Sequence, residues 1–417
     1  MNPALLRLAW KSLINRGTSA ALTVLAVTLS VTLFLSVERI QSGVRTSFNS
    51  TISGTDIIVG ARGGAINLLL YSVFRLGDPT ANIGWQSYQR IAGAPGVAWA
   101  VPISLGDSHR GYRVVGTTPE YFDHYRYGRD LPLGFAEGER FDGTYQAVLG
   151  SEVARQLGYE LGDEILLSHG IGEISFAEHT GHDFTVTGIL APSGTPVDRS
   201  VHVSLESIEL IHVGWDTGVA PGARQPREDS GELEPETITA AFIGVQSPIR
   251  TLSLQRQINT FPDEALSAVM PGVALTQLWQ IVGAGERAFR VISLLVLLVG
   301  LISILTALTS GLNERRREMA VLRATGAKPR DIFSLLVLEA TSLAAIGAVI
   351  GIVVTQVAVG IVASIVRTRY GMELGGMPGL MELYVLLAVT FAGAAAGMLP
   401  AWQAQRNALS DGLTPKL

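Results

Sequence analysis

The 417-residue chain contains no cysteine, which excludes disulfides, thiolate metal sites and a thiol nucleophile. That absence fits either redox compartment. Lysine is almost missing: Lys11, Lys328 and Lys416 are its three positions, and the long stretch 38–286 has none. There is no GxxxxGK[ST] phosphate loop, so these residues do not hydrolyse ATP by themselves. HExxH and GxSxG are absent as well. No series of acids is buried through the apolar runs of the kind an ion-coupled pump uses. The sequence therefore offers no chemistry of its own to drive transport.

What is present is an uneven distribution of apolar residues. The mean hydropathy of +0.33 averages a water-soluble middle with apolar runs at the N-terminus and in the last third. A hydrocarbon core of ~30 Å takes roughly 20 helical residues. Four runs meet that length, at 19–37, 287–311, 332–366 and 382–400. Their continuity excludes the alternation of a membrane barrel. The first run resembles a signal peptide in its basic flank (Arg7, Lys11, Arg16). Its length, the Glu38 and Arg39 that follow and the lack of a small-x-small site favour a retained helix.

The expected architecture is an α-helical membrane protein with four transmembrane helices and a large, two-lobed, mixed α+β domain between helices 1 and 2. Segment 1–18 reads as an interfacial helix, 38–286 as the external domain with its stalk, 312–331 as a loop, 367–381 as an external loop and 401–417 as a tail. Basic residues concentrate in 1–18, 312–331 and the tail. The positive-inside rule puts these three, and both termini, in the cytoplasm. Alternation and turn residues predict strands at 56–59, 97–103, 113–115, 147–149, 164–167, 184–190, 201–203 and 239–245. Helices are predicted at 85–92, 151–157, 205–211, 249–259 and 272–282, and a Gly/Pro/acid-rich loop at 216–236. Run 332–366 would measure ~52 Å as one helix, more than a bilayer core needs. Gly347/Gly351 and Gly393/Gly397 form GxxxG pairs that allow close helix packing, and Glu339 is an intramembrane acid.

The stretch NERRREMAVLRATGAKPRD, 313–331, is basic and amphipathic. Asn313 suits an N-cap, Gly326 a helix stop and Pro329 the first turn of the next helix. Such a compact helix-stop-helix unit suits docking better than a loop that only sets topology. The same stretch resembles the signature of FtsX/MacB-type ABC permeases, a group that includes the LolC/LolE lipoprotein-release subunits. GTDIIVGARGG (54–64), AVLGSEVARQLG with GDEI (147–165), FTVTGIL (184–190) and PAWQAQRNALSDGL (400–413) are similar too.

The resemblance implies a dimer with a second copy or a paralogue, and a separate cytoplasmic ABC ATPase that binds the ATP. Glu314, Arg315, Arg316, Arg317, Glu318, Met319, Leu322, Arg323 and Gly326 would form the coupling helix that enters the ATPase. It further implies mechanotransmission from the inner membrane of a bacterium: a non-catalytic permease whose external domain is moved to export or extract a lipoprotein, lipid or amphiphile. A periplasmic adaptor or lipoprotein and membrane lipids are expected partners, and nucleic acid is not. The chain itself is expected to hold no cofactor. An alternative use of the same parts is the regulation of a cell-wall hydrolase. A further departure is HGIGEISFAEHTGHDF, where His169, His179, His182 and Asp183 form a candidate zinc cluster that would point to metal-linked transport. His109, His124, His202 and His212 are scattered and read as structural.

Overall fold

The computed structural model describes residues 16–169, 178–212, 234–370 and 379–407; side chains at 169, 178–182, 311–317, 367–370 and 407 are not described. The interfacial helix, most of the acid-rich loop, 170–177 of the histidine-rich run, most of the external loop at 367–381 and the tail beyond 407 lie outside the described residues. In chain order the elements are α1 (Gly17–Ser50), β1 (Ile57–Ala61), α2 (Ala65–Ser72), α3 (Trp85–Ala92), β2 (Val97–His109), β3 (Tyr112–Thr117), α4 (Glu120–His124), β4 (Phe135–Gly138), β5 (Gln146–Leu149), α5 (Ser151–Leu157), β6 (Glu164–His169), β7 (Glu178–Leu190), β8 (Ser200–Ser204), α6 (Leu205–His212), β9 (Ala240–Val245), α7 (Pro248–Asn259), β10 (Leu266–Val269), α8 (Pro271–Ala324), α9 (Pro329–Tyr370) and α10 (Leu380–Asn407). Short two-stranded pairs, Ile83–Gly84 with Thr237–Ile238 and Arg126–Tyr127 with Leu131–Pro132, complete the set.

Two units divide these elements. The first comprises the described parts of Met1–Gly43, Gly283–Ser364 and Leu374–Leu417, and the second those of Val44–Val282 and Ile365–Glu373. The first is a bundle of apolar helices. α1, α8, α9 and α10 each contain a span long and apolar enough to cross a membrane. Large apolar side chains face outward along them, among them Leu29, Leu298, Val353 and Phe391. Lipid, not water, suits a surface of that kind.

Inside the bundle, contact runs through small residues. A Cβ at Gly347 would stand 2.7 Å from the Val27 Cβ, and one at Gly351 2.9 Å from the Val31 Cβ. The Thr28 and Thr32 hydroxyls donate to the Gly347 and Gly351 carbonyls, each at 3.2 Å. Gly393 and Gly397 bring α10 against Ala344 and Ala340 of α9. Both GxxxG pairs are thus used within this chain, that of α9 against α1 and that of α10 against α9. The Arg39 guanidinium binds the Glu382 carboxylate, whose other oxygen accepts the Gly379 N–H at 2.7 Å. Glu339 is buried.

The second unit is built on a ten-stranded sheet ordered β10-β1-β9-β2-β3-β8-β5-β7-β4, with β6 pairing β7 and β2. Most neighbours are antiparallel, but β8 runs parallel to β3 and β7 to β5. Side chains alternate between two buried faces, as a strand period of two requires. Ile58, Val115, Val148 and Phe242 join α2, α4 and the first turns of α8 in one core. The other face carries two cores. Ile57, Val59 and Ile243 meet α3 and α7. Val114, Ala147, Leu149, Leu167 and Val201 meet α5 and α6. One continuous sheet runs through the unit, and only its second face is divided between two cores. The last turn of α1 belongs to this unit as well: Phe48 stacks on Phe74 at 4.2 Å and meets Trp279 edge-on at 5.8 Å, while Trp279 Nε1 donates to Asn49 Oδ1 at 3.1 Å.

Two expectations change. Residues 272–282 do not form a separate helix but open α8, a single helix of 54 residues. Asn313 is not an N-cap, because α8 continues through it to Ala324. An Asn can cap only where the preceding turn is open; here that turn is already helical and supplies the carbonyls that position 313 and its neighbours need.

Candidate functional site

The helix-stop-helix unit is an elbow closed by its own backbone. Gly326 has φ +102, a left-handed conformation that needs no Cβ. The Ala327 N–H donates to the Leu322 carbonyl and the Gly326 N–H to the Arg323 carbonyl, both at 3.0 Å, the paired bonds of a Schellman stop. α9 then starts on Pro329, and the Asp331 carboxylate reaches back to accept the Lys328 N–H at 2.8 Å. Glycine, proline and aspartate at these three offsets make the turn sharp without outside help.

The elbow divides the expected coupling residues. Met319 is buried against Ile332, Leu336, Ala401 and Ala404, so α8, α9 and α10 are packed together there. Its thioether serves that packing. Leu322 and Arg323 are half-buried, and Glu318 and Gly326 are exposed. Glu314, Arg315, Arg316 and Arg317 lie on the helical backbone of α8, and their side chains are not described. The outward apolar residue is Val321, 63 % exposed, which the sequence reading did not single out. The signal was available: 319 and 322 lie three apart on one face, which leaves 321 on another.

In the second unit the histidines separate by environment. His202 is fully buried beside Tyr121 and Phe122, and burial first, then the charge of Arg75, pushes its pKa down to about 3. His109 Nδ1 donates to the Leu166 carbonyl at 2.6 Å, Nε2 faces the Tyr159 hydroxyl at 3.0 Å, and burial lowers its pKa. His124 stacks on Trp99 at 4.7 Å. These three are structural.

His212 differs. It closes α6, donates from Nδ1 to the Ile208 carbonyl at 2.7 Å, and points Nε2 at the Asp107 carboxylate 3.6 Å away. Burial opposes its charge, but Asp107, the Ile208 carbonyl and Glu209 outweigh burial and raise its pKa above 6.5. Of the expected zinc ligands, His169, His179 and His182 have undescribed side chains, while Asp183 is exposed. Asp183 sits opposite Leu166 and His169 opposite Asp107, so Asp183 and His169 hold register positions of opposite parity on β6. Among the described residues no group of three or more His, Cys, Asp or Glu is placed to hold a metal ion.

Comparison with known proteins accounts for both units. The family model of the MacB-like periplasmic core domain matches residues 20–260, and that of the FtsX-like permease C-terminal region matches 290–410. The chain is 25% identical over 407 residues to the macrolide export ATP-binding/permease protein MacB of Azoarcus sp. (strain BH72), covering 93% of this chain and 56% of that protein. It is 27% identical over 281 residues to the pyoverdine export ATP-binding/permease protein PvdT of Pseudomonas syringae pv. tomato, covering 65% and 38%. The chain thus spans about half the length of the first of these relatives or less. The crystal structure of the periplasmic region of MacB from Actinobacillus actinomycetemcomitans aligns with a TM-score of 0.35 and 10% identity, over 55% of this chain and 94% of that one. A multi-pass inner-membrane protein with four apolar helices, a mixed α/β domain between the first two and no nucleotide loop of its own, the chain belongs to the FtsX/MacB-type ABC transporter permeases.

Proposed function

We propose that this chain is the motion-transmitting permease of an ABC system that exports, or extracts from the outer leaflet, a lipoprotein, lipid or amphiphile. An ABC ATPase supplies the energy at the elbow around Gly326, and both termini lie in the cytoplasm. The observation that carries this reading is α8, one helix of 54 residues that ends in the elbow. At 1.5 Å per residue it measures ~81 Å, against ~30 Å of hydrocarbon. Unbroken helices of that length carry a displacement as rods. α1 and α9, at 34 and 42 residues, also exceed a bilayer span. The names of the relatives, exporters of a macrolide and of pyoverdine, support export as the direction of movement. A second permease copy or a paralogue completes the machine, and a periplasmic adaptor or lipoprotein is its partner outside.

Within the elbow the docking surface centres on the exposed Glu318 and Val321, with Met319 packed behind them, and the basic run Arg315–Arg317 just before them in sequence adds its charge. The test is co-purification with the ATPase from the native membrane. Reversing all three arginines to glutamate is expected to abolish it while the permease stays folded; retained binding rejects the docking surface. Crosslinking of the external domain in the same membranes distinguishes cargo export from hydrolase control. Recovery of a cell-wall hydrolase in place of a lipoprotein or adaptor replaces the export reading.

A further inference from the structure

We infer that Trp279 is a positioning residue: its indole locks the last turn of α1 and the first turns of α8 to the sheet, so that the three turn as one body. Three residues of α1 meet that one half-buried ring. The Arg45 guanidinium lies over it, 5.7 Å from its centre. Phe48 meets it edge-on at 5.8 Å. The Asn49 side-chain carbonyl accepts the indole N–H at 3.1 Å. Positions 45, 48 and 49 are spaced i, i+3 and i+4, so one face of α1 carries all three. A cation over the ring face, an aromatic edge contact and a hydrogen bond in the ring plane each fix a different direction. Together they oppose any roll of α1 on α8.

The same two turns are fastened to the rest of the second unit. Phe48 stacks at 4.2 Å on Phe74, just beyond α2. Ala274 and Leu275 of α8 are buried in the core that also holds Ile52, Phe74 and Val269, and Leu278 packs against it. The last carbonyl of a helix has no partner within the helix. For α1 that carbonyl is Ser50, which accepts the Gly128 N–H at 2.7 Å. The Tyr125 hydroxyl donates to the next carbonyl, Thr51, at 2.5 Å, and the Ser53 N–H donates to the Arg126 carbonyl at 2.9 Å. Apolar burial is non-directional. The indole contacts supply the direction that it lacks. This goes beyond the proposed function, because a displacement of either helix end reaches the sheet together with the other whatever drives it and whatever cargo is moved.

The test uses the full chain in lipid nanodiscs without an ATPase, so its outcome is separate from that of the proposed function. The absence of native cysteine allows single nitroxide labels at Thr46→Cys on α1, Gln277→Cys on α8 and, as a reference, Glu206→Cys on α6, all at exposed positions. Electron paramagnetic resonance reads the mobility of each label. Trp279→Ala, a change on α8, should shift the label on α1 from a slow to a fast spectral component. Phe48→Ala, a change on α1, should do the same to the label on α8. The label at 206 should not respond. Trp279→Phe keeps a ring for Arg45 and Phe48 and should restore most of the slow component. Arg45→Gln with Asn49→Ala alters only exposed side chains, and it too should raise mobility at 277. That pair decides the matter if Trp279→Ala or Phe48→Ala also frees the label at 206. Substitutions that loosen only the helix they sit on overturn the inference. So does unchanged mobility at 277 in the Arg45/Asn49 variant, or a Trp279→Phe variant as mobile as Trp279→Ala.

Discussion

The helix bundle and the sheet domain solve the same problem, burying backbone and side chains, with opposite materials. In the bundle, glycine and alanine let α1, α9 and α10 approach until threonine hydroxyls reach the carbonyls of the next helix. Lipid supplies no hydrophobic drive between helices, so close packing and hydrogen bonds carry the association. In the sheet domain, Phe242, Phe184, Tyr121 and aliphatic side chains fill three cores, and burial from water carries the stability. The bundle should therefore be most sensitive to added volume and the sheet domain to removed volume.

The largest expected effect comes from Phe242→Ala, at a residue that is 1 % exposed. Emptying that position should cost ~3–5 kcal/mol, read as a lower midpoint in denaturant unfolding of the sheet domain followed by tryptophan fluorescence. An unchanged midpoint would break the claim that apolar volume holds this unit. Gly347→Leu is the mirror experiment. It drives a side chain into Val27 and should cost ~1–3 kcal/mol, seen as lower thermal stability in detergent, while Gly285→Leu, with nothing within 4 Å, should be near neutral. Equal behaviour of the two glycines would remove the close-packing account of the bundle.

Acid should separate the two units next. His202 is held neutral, with a pKa of about 3 against an ordinary 6.5. The unfolded chain takes up a proton below 6.5 that the folded chain refuses, so its contribution is complete above 6.5 and lost as pH falls toward 3. The slope is roughly 1.4 kcal/mol per pH unit. Hydrogen exchange should show the sheet domain opening as pH drops through that window, and a variant such as His202→Gln should flatten the trend. The smallest stability effect belongs to Val321→Ser, within about 0.5 kcal/mol because the residue is exposed, against ~2 kcal/mol or more for Met319→Ala in the packed elbow.

Much of this was legible in the sequence. Strands such as 147–149 and 201–203 alternate cleanly between two cores, and Gly326 and Pro329 mark the elbow because each is chemically suited to one position of a stop and a start. α2 was not legible: AINLLLYS follows the glycine pair Gly63–Gly64, and its helix depends on the core it meets. β10 is four residues long and forms only because β1 offers an edge. Asn313 misled because local capping chemistry says nothing about a helix already running from the membrane. The candidate site was the least legible part. Which of Met319 and Val321 faces outward depends on where α9 and α10 pack, and the approach of Asp107 to His212 depends on the whole sheet.

The central claim is that the outward face of the elbow receives an ATPase, and the absence of native cysteine allows a direct test. Val321→Cys and Met319→Cys each carry a single thiol, to be labelled with a short photo-crosslinker in native membranes. Val321→Cys should crosslink to an ATP-binding protein and Met319→Cys should not. No crosslink from 321, or equal crosslinking from both positions, would contradict the claim.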